Sequence, residues 1–189
     1  MPGKRAQTTE DPIPSVKSVV IEEILSWAKL ILFTVFLAVL LNHFVIVNAS
    51  IPTGSMESGI MPNDRIVAFR LAYLFSDPER FDIVIFRYPD DESRLYVKRI
   101  IGMPGESVVI IDGLVFIDDS DIPLRDDFIR EPVPGDYGPF LVPEDSYFML
   151  GDNRGNSEDS RTWQNPFVHR SGILGRAVFK YYRGIGLLH

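Results

Sequence analysis

Few residues of this chain combine reactive chemistry with a setting that would let them act on a substrate. Ser55 follows Gly54 in Ile51-Pro52-Thr53-Gly54-Ser55-Met56-Glu57-Ser58, a turn bounded by Pro and Gly. An accessible serine with backbone amides close by has the ingredients of a nucleophile with an oxyanion site, and equally those of an ordinary turn. A serine hydroxyl needs a proton acceptor, and histidine is scarce. Of the 3 histidines, His43 lies in a long apolar run and His189 is the last residue. His169 stands between Val168 and Arg170 with no orienting carboxylate motif. That distribution speaks against a Ser-His-Asp triad.

Lysine is the remaining base. Lys4, Lys17 and Lys29 belong to the N-terminal tail or the apolar run, which leaves Lys98 and Lys180. Lys98 sits in Leu95-Tyr96-Val97-Lys98-Arg99-Ile100-Ile101, a strand pattern. Alternation places Tyr96, Lys98 and Ile100 on one face and Val97, Arg99 and Ile101 on the other. Burial on a largely apolar face disfavours the ammonium. Lowering a lysine from ~10.4 to ~7–8 costs roughly 4 kcal/mol at ~1.36 kcal/mol per unit, and yields a competent base at neutral pH. The alternative is a lysine that snorkels to solvent or pairs with a carboxylate. A third segment, Gly151-Asp152-Asn153-Arg154-Gly155-Asn156-Ser157-Glu158-Asp159-Ser160-Arg161, follows the strand pattern Tyr147-Phe148-Met149-Leu150. It lacks the phosphate-loop spacing, and Arg154 stands where a calcium loop needs an acidic or amide ligand. It is either a solvated loop or a network in which Asp152, Asp159, Arg99 and Arg161 pair while a serine hydroxyl orients the lysine amine.

These segments need elements to position them. The chain has 189 residues and a formal charge of −7, which suits one domain with an appendage and argues against a nucleic-acid partner. The absence of cysteine excludes a disulfide framework, a thiolate metal site and a cysteine nucleophile. No metal or cofactor is expected. Ile24–Val47 is largely apolar with one charge, Lys29, and, as a helix, would reach ~36 Å, enough to cross a ~30 Å hydrocarbon core. It is too long for a cleaved signal peptide, so it reads as a signal-anchor. Lys4, Arg5, Lys17 and Lys29 lie at its N-terminal end, whereas the next basic residue is Arg65. The positive-inside rule then puts residues 1–23 in the cytoplasm as a polar tail and residues 48–189 outside the plasma membrane.

From Ser50 onward, short Val-, Ile-, Phe- and Tyr-rich runs alternate with turn formers, and no long amphipathic helix appears. The expectation is a mainly β, antiparallel domain with strands at 65–69, 82–87, 95–101, 107–111, 114–117, 147–150 and 175–181. Asp112-Gly113 between two β-branched runs signals a two-residue hairpin. Residues 118–144 are rich in Asp and Pro, and read as an insertion or long loop.

Taken in order, the segments 51–56, 63–67, 81–86, 96–106 and 151–161 behind an N-terminal anchor resemble the bacterial type I signal peptidases (leader peptidases, peptidase family S26). The resemblance covers most of the chain from the anchor onward. It implies a membrane-bound serine endopeptidase with an antiparallel β catalytic domain and a Ser–Lys dyad. Ser55 would be the nucleophile and Lys98 the general base. Thr53 and the Ser55 backbone amide would form the oxyanion hole, and Ser157 would orient the lysine. Asp159 with Arg161, and Arg99 with Asp152, would be supporting ion pairs. The substrates implied are exported preproteins cleaved after small residues in an A-x-A pattern, in a pocket lined by Ile51, Pro52, Met56, Tyr96 and Val97. A monomer is expected, with the lipid bilayer as its other partner. The chain departs from the family pattern at Ser58-Gly59, where Pro-Thr is frequent, and at Thr53, where serine is frequent. Two rivals differ from this reading: another kind of Ser–Lys protease, and a membrane-tethered β domain that binds secreted partners without catalysis.

Overall fold

The computed structural model describes residues 16–57, 59–129, 132–181 and 184–188; most of the expected polar tail (residues 1–15), together with Ser58 and His189, lies outside them. The chain divides into two units at Leu41/Asn42. Helix α1 (Val16–Phe44) holds all the described residues of the first. Its segment Val19–Phe44 is long and apolar enough to cross a membrane, by length and composition. The helix starts before Ile24 and stops short of Val47. The apolar run itself continues past Phe44, but its β-branched residues Ile46 and Val47 join a strand, β1 (Ile46–Ser50). Val47 is consequently buried in the β core and unavailable to lipid, against the expectation that it belongs to the anchor.

The second unit is built of antiparallel strands. After β1 come β2 (Arg65–Phe69), β3 (Ile83–Tyr88), β4 (Asp91–Gly102), β5 (Ser107–Ile111), β6 (Leu114–Ile117), β7 (Tyr137–Leu141), β8 (Ser146–Leu150), β9 (Phe167–His169), β10 (Ile173–Lys180) and β11 (Gly186–Leu187). The larger sheet runs β1-β2-β10-β3-β4-β8-β9, with β11 added to β10; the smaller runs β6-β5-β7. The expected hairpin joins β5 to β6. Asp112 and Gly113 have φ of 49° and 79°, the left-handed pair that a tight hairpin of matching twist demands.

The stretch 118–144, expected as an insertion or long loop, carries a strand of its own. It contains β7, which pairs with β5 despite Pro139. β7 is an edge strand, where a residue without an N–H can be accommodated.

Three apolar clusters fill the unit. One joins Val47, Ile51, Met56, Ile60, Ile66 and Ile85; a second gathers Val84, Phe86, Tyr88, Ile100, Met149 and Trp163. The third, around Ile101, Val108, Phe148 and Leu150, joins the two sheets. Strand β4 touches all three through Val97, Ile100 and Ile101. It is therefore the element best fixed in space.

Candidate active site

Topology brings the three polar segments together. Lys98 pairs across the sheet with Val84, and its same-face neighbours Tyr96 and Ile100 belong to the second apolar cluster. Its stem is thereby buried, and the side chain ends at Ser55: Nζ donates to Oγ at 2.6 Å. Lys98 is 4 % exposed and Ser55 7 % exposed. Burial lowers the lysine pKa from its ordinary value to about 8, although the carboxylates of Asp159, Glu158 and Asp152 pull the other way. Among the described residues Lys98 forms no salt bridge. The Tyr96 ring, 5.7 Å from Nζ, offers only its π face.

Ser55 occupies a tight turn in which the Glu57 N–H donates to the Gly54 carbonyl at 3.1 Å. Asn153 ties this turn down. Its N–H donates to the Ser55 carbonyl at 3.1 Å, and its Nδ2 to the Gly54 carbonyl at 3.0 Å. Asn153 carries no assigned role in the sequence reading. Its signal was present in its place within a polar segment directly after a core strand, but only register shows which backbone it reaches. Thr53 Oγ1 lies 3.5 Å from Ser55 Oγ, within reach of a group bonded to that oxygen.

The neighbouring strand position is handled differently. Arg99 pairs with Leu150 in the β4–β8 ladder, so the chain leaving β8 carries Asp152 past its guanidinium. The two meet in a bidentate pair at 2.8 and 2.7 Å, both buried, and Arg99 also donates to the Phe81 carbonyl at 2.9 Å. Asp159, fully buried, accepts from Arg161 Nε at 2.7 Å and Nη2 at 2.8 Å, and from the Gly151 N–H at 3.1 Å. Both expected ion pairs are therefore formed. A Cβ on Gly151 would fall on Ser157 Oγ and the Ser55 carbonyl oxygen, so the close approach of this segment to the serine turn requires glycine.

Two expected site residues sit differently. Ser157 borders the same cleft as Lys98, but its Oγ is buried without a hydrogen-bond partner, so it does not hold the amine in this conformation. Met56 is fully buried in the first apolar cluster and is not part of the cleft lining; being next to a turn serine does not put a side chain on the same side as the serine's. Ile51, Pro52, Tyr96 and Val97 do line the cleft, joined by Ala49 and Ile85. The cleft encloses about 910 Å³. Its walls include two strand edges. Among the described residues β1 pairs only with β2, and β8 joins β4 only from Arg99 onward, which leaves the 94–98 edge of β4 open on that side. His169 lies apart from the cleft lining, exposed, with Nδ1 beside Ser171 Oγ at 2.7 Å, and does not compete as a base.

A buried amine on an alcohol, beside a hydroxyl and in an open-edged cleft, is compatible with acyl transfer. Comparison with known proteins identifies the family. Residues 24–182 match the family described as signal peptidase, peptidase S26. The chain is 38 % identical over 164 residues to a probable signal peptidase I-2 of Synechocystis, an alignment covering 84 % of this chain and 73 % of that one. It is 37 % identical over 162 residues to a signal peptidase I of Leptolyngbya laminosa, covering 82 % and 77 %. A crystal structure of a signal peptidase I from Enterococcus faecalis matches with 32 % identity and a TM-score of 0.46, over 53 % of this chain and 97 % of that one. By its residues and by this similarity, the chain belongs to the signal peptidase family of serine endopeptidases, peptidase S26.

Proposed function

We propose that this protein removes signal peptides from exported preproteins by a Ser–Lys dyad, with cleavage after small residues. The observation that carries the dyad is the 2.6 Å contact between Lys98 Nζ and Ser55 Oγ inside the protein. Lys98, as the neutral amine, takes the Ser55 proton while Oγ attacks the scissile carbonyl carbon. The negative charge that develops on the carbonyl oxygen is met by the Ser55 N–H and the Thr53 hydroxyl. As the tetrahedral centre collapses, the peptide C–N bond breaks and the amine of the mature protein leaves with the proton held by Lys98. An acyl-enzyme through Ser55 Oγ remains. Lys98 then deprotonates a water, which attacks the ester, and the serine regains its proton as the signal peptide departs.

Substrate selection follows from the cleft. An extended chain can add main-chain hydrogen bonds to the open edges of β1 and β4. Its alternate side chains then meet Ile51, Ala49, Ile85 and Val97 in close quarters, where a small side chain fits and a large one collides. This supports an A-x-A preference. The apolar helix serves as a single-pass anchor in the plasma membrane, with the N-terminus cytoplasmic, as the lysine and arginine distribution favours. Tethering raises the effective concentration of enzyme where preproteins emerge from the bilayer. The catalytic unit works as a monomer.

The test is cleavage of a synthetic preprotein by the purified full-length chain in detergent or vesicles. Wild type is expected to release the mature product, and Ser55→Ala to release none. Replacing the alanine preceding the cleavage point by Phe should abolish cleavage. Equal cleavage by wild type and Ser55→Ala would refute the dyad.

A further inference from the structure

Residues 118–144 leave the β5–β6 hairpin as a long excursion with no evident task. Their middle portion is not a free loop. Along Leu124-Arg125-Asp126-Asp127-Phe128 the side chains alternate between half-buried and exposed, in irregular chain up to Asp126 and then in a turn closed by the Ile129 N–H on the Asp126 carbonyl at 3.2 Å. Arg125 and Asp127 point outward, with side chains 87 % and 69 % exposed, and pair with each other. Leu124 packs on the third apolar cluster, and its N–H donates to the Val115 carbonyl at 2.7 Å.

The other two inward residues reach the catalytic segments. Asp126 forms an ion pair with Arg154, whose side chain is 3 % exposed. Arg154 in turn donates from Nε to the Gly151 carbonyl at 3.1 Å, and its own carbonyl accepts from Arg161 Nη2 at 2.9 Å. Phe128 lays its ring against the Arg99 guanidinium, 3.9 Å from Cζ, and its edge against Phe81, whose carbonyl also binds Arg99. Val133, further along, lies where a Cβ on Gly155 would touch it. Apart from the Phe81 ring, these contacts end on the segment that carries Asn153 and Ser157, or on the arginine beside Lys98.

We infer that residues 124–128 are a strap that sets the position of the 151–157 segment against Ser55 and Lys98, with Asp126 and Phe128 as positioning residues for the reaction. The reasoning is one of rigidity. Asn153 holds the serine turn only as accurately as its own backbone is held, and that backbone leans on Arg154. Arg154 is buried, so without Asp126 its charge has no fixed counter-ion and the segment must shift to hydrate it. Burial raises the Asp126 carboxyl above its ordinary value, against the pull of Arg154. Displacements of about 1 Å in a positioning shell cost on the order of a hundredfold in rate.

The kinetic readout rests on the proposed peptidase activity; the second readout does not. Asp126→Asn is expected to lower kcat about 10- to 100-fold with KM changed less than about twofold, since substrate still lies on the same strand edges. The double variant Asp126→Leu with Arg154→Met, which removes both charges together, should recover most of the loss. Arg125→Ala, on the outward face, should match wild type. In parallel, hydrogen exchange of the Gly151 and Asn153 amides should quicken at least tenfold in Asp126→Asn, while β3 amides keep their protection. Unchanged kcat and unchanged exchange at 151 and 153 would overturn the strap, as would exchange that quickens equally in β3. If wild type cleaves no preprotein, the peptidase reading fails, and exchange alone decides the strap. Should Asp126→Asn not fold, Phe128→Leu, which leaves every ion pair in place, is expected to produce the same local quickening in smaller degree; no quickening there would count against the strap.

Discussion

Lys98 and Arg99 are adjacent in sequence, both cationic in type and both buried, yet they meet opposite surroundings. Arg99 has a bidentate carboxylate, a backbone carbonyl and an aromatic ring against its guanidinium. Lys98 has an alcohol. The strand pleat causes the divergence: one residue points toward the chain leaving β8, where Asp152 waits, and the next toward the apolar cluster around Val84 and Ile100. A guanidinium cannot shed its proton, so burial obliges the fold to supply a counter-ion. An ammonium can, and burial without a counter-ion turns it into a base. One strand thus holds a paired cation and a buried amine without an ion-pair partner side by side, separated by geometry alone.

That contrast can be broken most drastically at Lys98. Lys98→Met should reduce preprotein cleavage about ten-thousandfold or more while the fold persists. Its stability near pH 7 should equal or exceed that of wild type. The sign follows from the lowered pKa. Between about 8 and the ordinary value of 10.5 the unfolded chain binds the extra proton, so wild-type stability rises with pH across that window. Below it, folding carries the full cost of the buried charge, up to about 3 kcal/mol, which methionine relieves. Chemical denaturation at pH 7 and pH 10 reads both effects.

Arg99 should behave in the opposite way. Arg99→Met leaves Asp152 buried without its partner and should cost about 3 to 5 kcal/mol in denaturant unfolding. Adding Asp152→Leu should return much of that. A stable Arg99→Met protein would remove the distinction between the two cations.

Thr53→Val is a narrower test, since it deletes a donor near the nucleophile and keeps the side-chain volume. It should lower kcat about a hundredfold, with KM little changed in steady-state assays. The smallest expected effect sharpens the electrostatics. Glu158 is exposed, and its charge favours the protonated lysine. Glu158→Gln should therefore move the rising limb of kcat/KM to lower pH by a few tenths of a unit, an effect that salt diminishes. A shift upward would contradict the assignment of the limb to Lys98.

Much of this was legible beforehand because local chemistry and tertiary need coincide. β2, β5 and β6 begin and end where their residue types change, and Asp112-Gly113 specifies its hairpin by backbone conformation alone. The serine turn and the lysine strand stand out for the same reason: an unpaired base in an apolar strand is costly, so it is visible. What escaped was decided by partners. Val45 to Val47 continue an apolar run seamlessly, and only pairing with β2 makes Ile46 and Val47 a strand. Pro139 argued against a strand that an edge position tolerates. Asn153 and Asp126 look like loop polarity until register reveals what they hold. Ser157 and Met56 show the reverse failing, since nearness along the chain to the reactive residues brings neither a hydrogen bond to Lys98 nor a place in the cleft wall.

The central claim is that burial without an ion-pair partner lowers the pKa of the Lys98 amine to about 8, so that its neutral form is available near neutral pH. Its titration can be followed directly through the 13Cε resonance of labelled lysine, assigned by its loss in Lys98→Met. A midpoint near pH 8 is the expected result. A midpoint at or above about 10.4, the value of a lysine in water, would mean a charged side chain and no general base at this position.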